Sequence, residues 1–291
     1  MGVKDLLGLL RTKCPQVFKP CPPASQYIVD VAIFMHKFIH AEGKVHMDNI
    51  CERFFDLSQT LQNPIFVFDG KKLDAKNLER QKRMEISKRS HELWKEKSTH
   101  MEFEDNGEVL RIELVNCVER PVNFLLPTSD DYLQLWNYLH CKHLSCRRAE
   151  YEAEALATHL CKETPGSVVI TEDSDVLMYA CPRTLFKYGS EKQVFVDYDD
   201  ILQALHFTDA QFKLLCILLG NDFNERIPGV GPVKSFQLVS SLQDATLESL
   251  TNELRAQTNK KLFSEESIRQ FTEGYEITEK IIQTCCYENC V

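Results

Sequence analysis

The chain has 291 residues, 43% hydrophobic and 26% charged, with 11 glycines and 11 prolines; this excludes disordered and collagen-like chains and suits one large domain or two small ones. Its 34 Lys and Arg against 43 Asp and Glu give a formal charge of −9, which taken alone argues against a polyanionic partner. No run approaches the roughly 18 consecutive apolar residues of a membrane span, and the charged opening MGVKDLLGLLRTK carries no signal-peptide core, so the sequence predicts an intracellular protein without a membrane partner.

Leu6 stands where a myristoylation motif needs Ser or Thr, so Gly2 is not read as an acylation site. The 12 cysteines are scattered rather than spaced as a framework, which predicts reduced thiols in a reducing compartment.

Tyr27-Ile28-Val29-Asp30 reads as a short strand and Ala32 to His40 as a helix. Pro64-Ile65-Phe66-Val67-Phe68-Asp69-Gly70 is a second strand-like run. An insertion follows, from about residue 71 to 148. Its first part, Lys71 to Lys97, carries ten Lys and Arg against five acids, in a helical pattern polar on most faces. Glu102 to Leu110 looks like a hairpin around Asn106-Gly107. His140 to Cys146 invites a zinc reading but lacks a second ligand pair at finger spacing, and it is assigned to helix packing.

Glu154 to Cys161 reads as a helix, and Ser167 to Asp173 as a third buried strand. Thr184 to Val196 resembles a hairpin. A helix capped by Thr208 runs to about Gly220, the turn Ile227 to Pro232 follows, and another helix starts at Val233. The last 50 residues read as packing helices, with Cys285, Cys286 and Cys290 in a terminal tail. Strands alternating with helices predict an α/β fold with a mostly parallel sheet, whose ligands bind beyond the carboxyl ends of the strands.

Acidic residues recur at those ends. Asp30, Asp69 and Asp173 close three strands, Asp175 follows Asp173, Glu152 and Glu154 open a helix, and Asp222 follows another. Residues two apart diverge within regular strand or helix, but both pairs lie where the backbone turns. Clustered carboxylates cannot all stay ionised without compensating cations, and Mg²⁺ is the usual hard cation for oxygen ligands.

These acids, with the Met1-Gly2-Val3 opening, Phe66 to Gly70, Tyr151-Glu152-Ala153-Glu154-Ala155, Thr171-Glu172-Asp173-Ser174-Asp175, Leu218-Leu219-Gly220-Asn221-Asp222 and Gly229-Val230-Gly231-Pro232, resemble the flap endonuclease/XPG family of structure-specific 5′ nucleases. The likeness spans residues 1 to about 240. It implies a PIN-like 5′-nuclease fold in a single domain: nuclease regions at 1–70 and 149–240, a helical arch at 71–148, a helix–two-turn–helix element at about 209–242 and C-terminal helices at 243–291.

The resemblance also implies roles. Asp30, Asp69, Glu152 and Glu154 form one side of a two-Mg²⁺ site, Asp175 and Asp222 the other, and Asp173 lies between; Mn²⁺ is expected to substitute. Lys76 and Arg83 match gateway bases that hold the scissile phosphate. Gly229 and Gly231 belong to a turn that holds K⁺ against duplex phosphates, with Lys234 nearby, and Gly2 and His36 complete the DNA contacts. His36 replaces the Tyr of many flap endonucleases and matches the 5′ exonuclease branch. No sliding-clamp motif of the Gln-x-x-apolar-x-x-aromatic-aromatic type is found. The expected partner is DNA with a 5′ flap, gap or free end, bound by a monomer in the nucleus or at a cytoplasmic viral replication site; an mRNA endonuclease of the viral host-shutoff type and a non-catalytic scaffold are the alternatives.

Overall fold

The computed structural model describes residues 2–42, 47–73, 76, 85, 89, 126–258 and 264–287. Arg83, the Asn106-Gly107 hairpin and most of the basic stretch lie outside the described residues. The chain begins with α1 (Leu6–Lys13), and β1 (Gln26–Asp30) runs without a loop into α2 (Val31–Glu42). Next come α3 (Met47–Thr60), β2 (Ile65–Phe68), α4 (Ser129–Cys141), β3 (Ser145–Arg148), α5 (Ala153–Glu163) and β4 (Ser167–Ile170). A single-turn helix α6 (Asp175–Met178), the hairpin β5 (Arg183–Phe186) and β6 (Val194–Asp197), and helices α7 (Tyr198–Leu205), α8 (Asp209–Leu219), α9 (Pro232–Ser241), α10 (Leu247–Thr258) and α11 (Glu265–Tyr287) complete it.

Among the described residues six strands form one sheet in the order β3-β2-β1-β4-β5-β6, parallel except for β6. Alternate residues of every strand except β3 feed two separate cores. Ile28, Val67 and Val169 pack with α1, α5 and the later helices, whereas Val29, Phe66, Phe68, Val168 and Ile170 pack with α2, α3 and α4. Period-two side-chain alternation thus builds three layers from uninterrupted apolar runs. The predicted N-cap at Thr208 is present and closes a capping box with Gln211 on α8; a second box, Thr128 with Asp131, opens α4 and has no counterpart in the sequence reading. α10 and α11 pack on the first core through Leu250, Leu254, Ile268, Phe271 and Tyr275. No helix among the described residues is long and apolar enough to cross a membrane.

One segment differs from the sequence reading. Helix ends at Cys141, His143 turns the chain with φ 57°, and Ser145–Arg148 forms edge strand β3 beside β2. The stretch read as an insertion to 148 therefore contributes to the sheet and its helical face from Ser129 on. An edge strand buries little, and only Cys146 of the four is buried, so no apolar run announced it.

Chain order leaves β1 on one side toward β2 and β3 and returns on the other at β4. That reversal opens a crevice at the carboxyl ends of β1 and β4, where open α/β sheets bind ligands.

Candidate metal centre at the switch crevice

Asp30 ends β1 opposite Val67 and is 1% exposed. Its Oδ1 accepts from Ala32 N–H at 3.0 Å, in the first turn of α2, and its Oδ2 accepts from Thr171 Oγ1 at 2.9 Å. Burial, then the charge of Asp69, pushes its carboxyl up to about 7.

Asp69 follows β2, and its Oδ1 accepts from Ala153 N–H at 3.0 Å at the start of α5. This bond joins the two helix-opening acids to the sheet edge: Glu152 is the N-cap residue of α5 and Glu154 lies in its first turn. Backbone bonds from Gly70 N to Tyr151 O and from Lys71 N to Glu150 O, both 2.8 Å, extend that join. The chains meet so closely that a Cβ on Gly70 would stand 2.0 Å from Ala149 O and 2.3 Å from Glu150 O.

Beyond β4, Asp173 Oδ1 accepts from Asp175 N–H at 3.0 Å. Asp222 comes from the turn after α8, where Asn221 Oδ1 accepts from Phe223 and Asn224 N–H at 2.8 and 2.9 Å. Gly220, with φ 83°, makes that exit possible. Carboxylate oxygens of Asp173, Asp175 and Asp222 lie within 4.8 Å of one another. Asp175 Oδ1 is buried with no hydrogen-bond partner among the described residues. Gly2 packs on this group with φ 86°, and a Cβ there would come within 2.0 Å of Asp173 Oδ1.

Burial raises the carboxyls of Asp173 and Asp175, and neighbouring acids add to it. Burial likewise raises Glu154, reinforced by Asp30 and Asp173. Glu152 is raised by burial against the opposing charge of Lys76. Lys76 enters from the segment after β2. Its Nζ donates to Glu152 Oε2, stands 3.6 Å from Asp222 Oδ2 and lies 5.1 Å from the centre of the Phe223 ring. Burial alone would lower its ammonium, but Glu152, Glu154, Asp175 and Asp222 outweigh that and raise it.

Among the described residues one ammonium faces many carboxylates, which leaves an excess of negative charge, and the Asp175 oxygen has no donor there. The oxygen-only ligand set suits a hard divalent cation such as Mg²⁺. The residues present therefore fit the metal that the sequence implies.

Residues 1–90 match the XPG N-terminal domain and residues 143–222 the XPG I-region. The chain belongs to the flap endonuclease/XPG family. It is 27% identical over 286 residues to flap endonuclease 1 of Tetrahymena thermophila, covering 90% of this chain and 71% of that one. It is 28% identical over 279 residues to flap endonuclease 1-A of Sorghum bicolor, covering 87% and 70%. Among solved structures, the catalytic core of Rad2 in complex with DNA substrate superposes with TM-score 0.62 at 20% identity, over 94% of this chain and 80% of that one. Human GEN1 in complex with Holliday junction DNA gives 0.61 at 18%, over 97% and 66%. The fold is that of the PIN-like 5′ nucleases.

Outside the crevice, Gly229 and Gly231 lie in the turn between α8 and α9. Gly229 has φ 81°, a conformation that favours glycine. Gly231 caps α9 at φ −84°, and a Cβ there would meet nothing within 4 Å among the described residues. His36 sits on α2 with its ring 6.2 Å from that of His40.

Two residues at the centre were not picked out from the sequence, Thr171 and Tyr132. Tyr132 lies one turn before Trp136, whose ring packs 5.0 Å from that of Phe68, so α4 leans over the end of β2. Burial, then Asp69 and Asp30, raises the Tyr132 phenol above its ordinary value. Thr171 opens the Thr171-to-Asp175 motif but carries no charge of its own, and Tyr132 looks like any apolar-face residue of an amphipathic helix.

Proposed function

We propose that this protein is a Mg²⁺-dependent, structure-specific 5′ nuclease that hydrolyses phosphodiesters in DNA at 5′ flaps, gaps or ends. The observation that carries the reading is the gathering of seven carboxylates and Lys76 at the crevice between β1 and β4, in a chain of this family. Relatives named as flap endonucleases, and structural neighbours solved with DNA substrate, Holliday junction DNA, or product DNA and Mg²⁺, support it.

Asp30, Asp69, Glu152, Glu154, Asp173, Asp175 and Asp222 would hold the cations. When bound, these supply Lewis-acid activation of water and neutralise charge on the phosphate under attack.

The remaining chemistry belongs to the chain. Lys76, once its carboxylate partners are shared with cations, presents a buried ammonium to the scissile phosphate and stabilises charge that develops there. Arg83 follows seven positions later, the spacing of two helical turns, and serves the same phosphate. The Gly229–Gly231 turn and Lys234 serve duplex phosphates some way from the cut, with K⁺ at the turn. A Cβ at Gly231 would meet nothing within 4 Å among the described residues, which leaves room for a phosphate backbone to approach that turn. Gly2 and His36 complete the DNA-facing set. Substrate would be processed by a monomer wherever DNA presents 5′ ends, in the nucleus or at a viral replication site.

The test compares labelled 5′-flap DNA, nicked and blunt duplex, bubble DNA and single-stranded RNA with Mg²⁺ and with EDTA. Cleavage of flap or end-bearing DNA that EDTA abolishes is expected. Cleavage of RNA alone would replace this reading with that of an mRNA endonuclease.

A further inference from the structure

Thr171 carries no charge, yet it stands where the two halves of the carboxylate cluster meet. It is 1% exposed. Its Oγ1 accepts the N–H of Asp173 at 3.0 Å and donates to Asp30 Oδ2 at 2.9 Å. The Asp173 amide can only donate and takes one lone pair of the hydroxyl, and an ionised carboxylate can only accept, so toward Asp30 in its ionised, cation-binding form the hydroxyl gives its hydrogen. The direction of the bond is therefore set, and Asp30 is the acceptor.

Ala32 N–H already donates to the other Asp30 oxygen at 3.0 Å. Each oxygen is thus turned toward one donor, with a further lone pair to offer a cation. On the other side the chain of bonds continues, since Asp173 Oδ1 accepts from Asp175 N–H at 3.0 Å. One uncharged hydroxyl links the acid that ends β1 to the acids that follow β4, across the strand pair where the fold reverses.

We propose that Thr171 is a positioning residue for the cation site: its hydroxyl sets the spacing between Asp30 and Asp173 and presents Asp30 as an acceptor. The inference rests on the metal-site reading above and deepens it. Outer-shell partners of metal ligands commonly carry a factor of about 10–100 in metal affinity.

The experiment measures Mn²⁺ binding to the DNA-free protein by loss of the free-ion EPR signal, for the full chain and for Thr171→Val, Thr171→Ser and Asp30→Asn. Valine matches threonine in shape and lacks the hydroxyl, so Thr171→Val is expected to bind Mn²⁺ about 10–100-fold more weakly. Thr171→Ser, which keeps the hydroxyl, is expected to stay within about threefold of the parent. Parent-like affinity in Thr171→Val overturns the inference, and so does a loss that serine fails to restore, since the methyl packing would then be responsible. Should the valine chain not fold by circular dichroism, Thr171→Cys, a weak donor of similar size, takes its place with the same expectation and the same overturning result. Asp30→Asn separates the two readings. Undiminished Mn²⁺ binding there removes the metal-site reading itself, whereas loss there with full binding in Thr171→Val removes only the role of Thr171.

Discussion

Lys76 and Glu152, far apart in the chain, meet as an ion pair inside the carboxylate cluster, with Asp222 3.6 Å from the same ammonium. The lysine acts there as an internal counter-cation, and it shares its oxygens with the site proposed for metal. Lys76→Met is therefore expected to have opposite effects on two measurements. Mn²⁺ affinity of the DNA-free protein rises several-fold, because a competing cation is gone. Single-turnover cleavage at saturating metal falls by about 100-fold or more, because the phosphate loses its charged donor. A variant whose metal affinity drops would show that Lys76 organises the carboxylates instead of competing for them.

Asp175 presents a buried oxygen without a partner among the described residues, and burial together with Asp173 and Asp222 raises its carboxyl. Removing that charge relieves repulsion. Asp175→Asn is expected to stabilise the metal-free protein by about 1–3 kcal/mol while abolishing Mg²⁺-dependent cleavage. Asp173→Ala is expected to abolish cleavage as well and leave DNA binding measurable by fluorescence anisotropy. Unchanged turnover in either variant would remove that residue from the metal site.

Proton linkage gives a third expectation. Asp30 titrates near 7 when folded against an ordinary carboxylate value of 3.8, and Glu154, Asp173 and Asp175 shift the same way. Between those limits the folded chain binds more protons than the unfolded chain, so the stability these groups contribute is full below the unfolded value. It is lost as pH rises through the folded value. Thermal unfolding of the metal-free protein is expected to fall by roughly 5 °C or more between about pH 5.5 and pH 8. Saturating Mg²⁺ flattens the curve by replacing the protons. A metal-free profile that rises over this range would contradict the carboxylate environment described.

Two glycines separate packing from ligand contact. A methyl on Gly70 would strike backbone oxygens of Ala149 and Glu150, which cannot swing aside. Gly70→Ala is expected to cost about 2–3 kcal/mol and to loosen the bond that joins Asp69 to α5. A Cβ on Gly231 would meet nothing within 4 Å among the described residues. Gly231→Ala is expected to leave the melting temperature within about 1 °C yet weaken binding to duplex DNA, read by anisotropy on a blunt duplex. Intact duplex binding would count against a phosphate site at that turn.

Much of this protein is legible along the chain. The runs at Tyr27–Asp30, Pro64–Asp69 and Ser167–Asp173 are apolar without interruption, which marks buried parallel strands, and each carries an acid at its exit. Thr208 marks a helix start as an N-cap residue. Family motifs then pick out the seven acids, because residue type and order are written locally.

Tertiary structure alone decided the rest, and the reason is distance through space. β3 hides in the sequence because an edge strand needs only one buried residue, and Cys146 supplies it among exposed neighbours. The −9 that argues against a polyanionic partner averages over the chain a cluster that the fold concentrates at one crevice. Only folding brings Lys76 to Glu152, Thr171 between Asp30 and Asp173, and Asp175 to a place without a donor. Coulomb energies and hydrogen bonds depend on separations of a few ångströms, and no spacing along the chain encodes them.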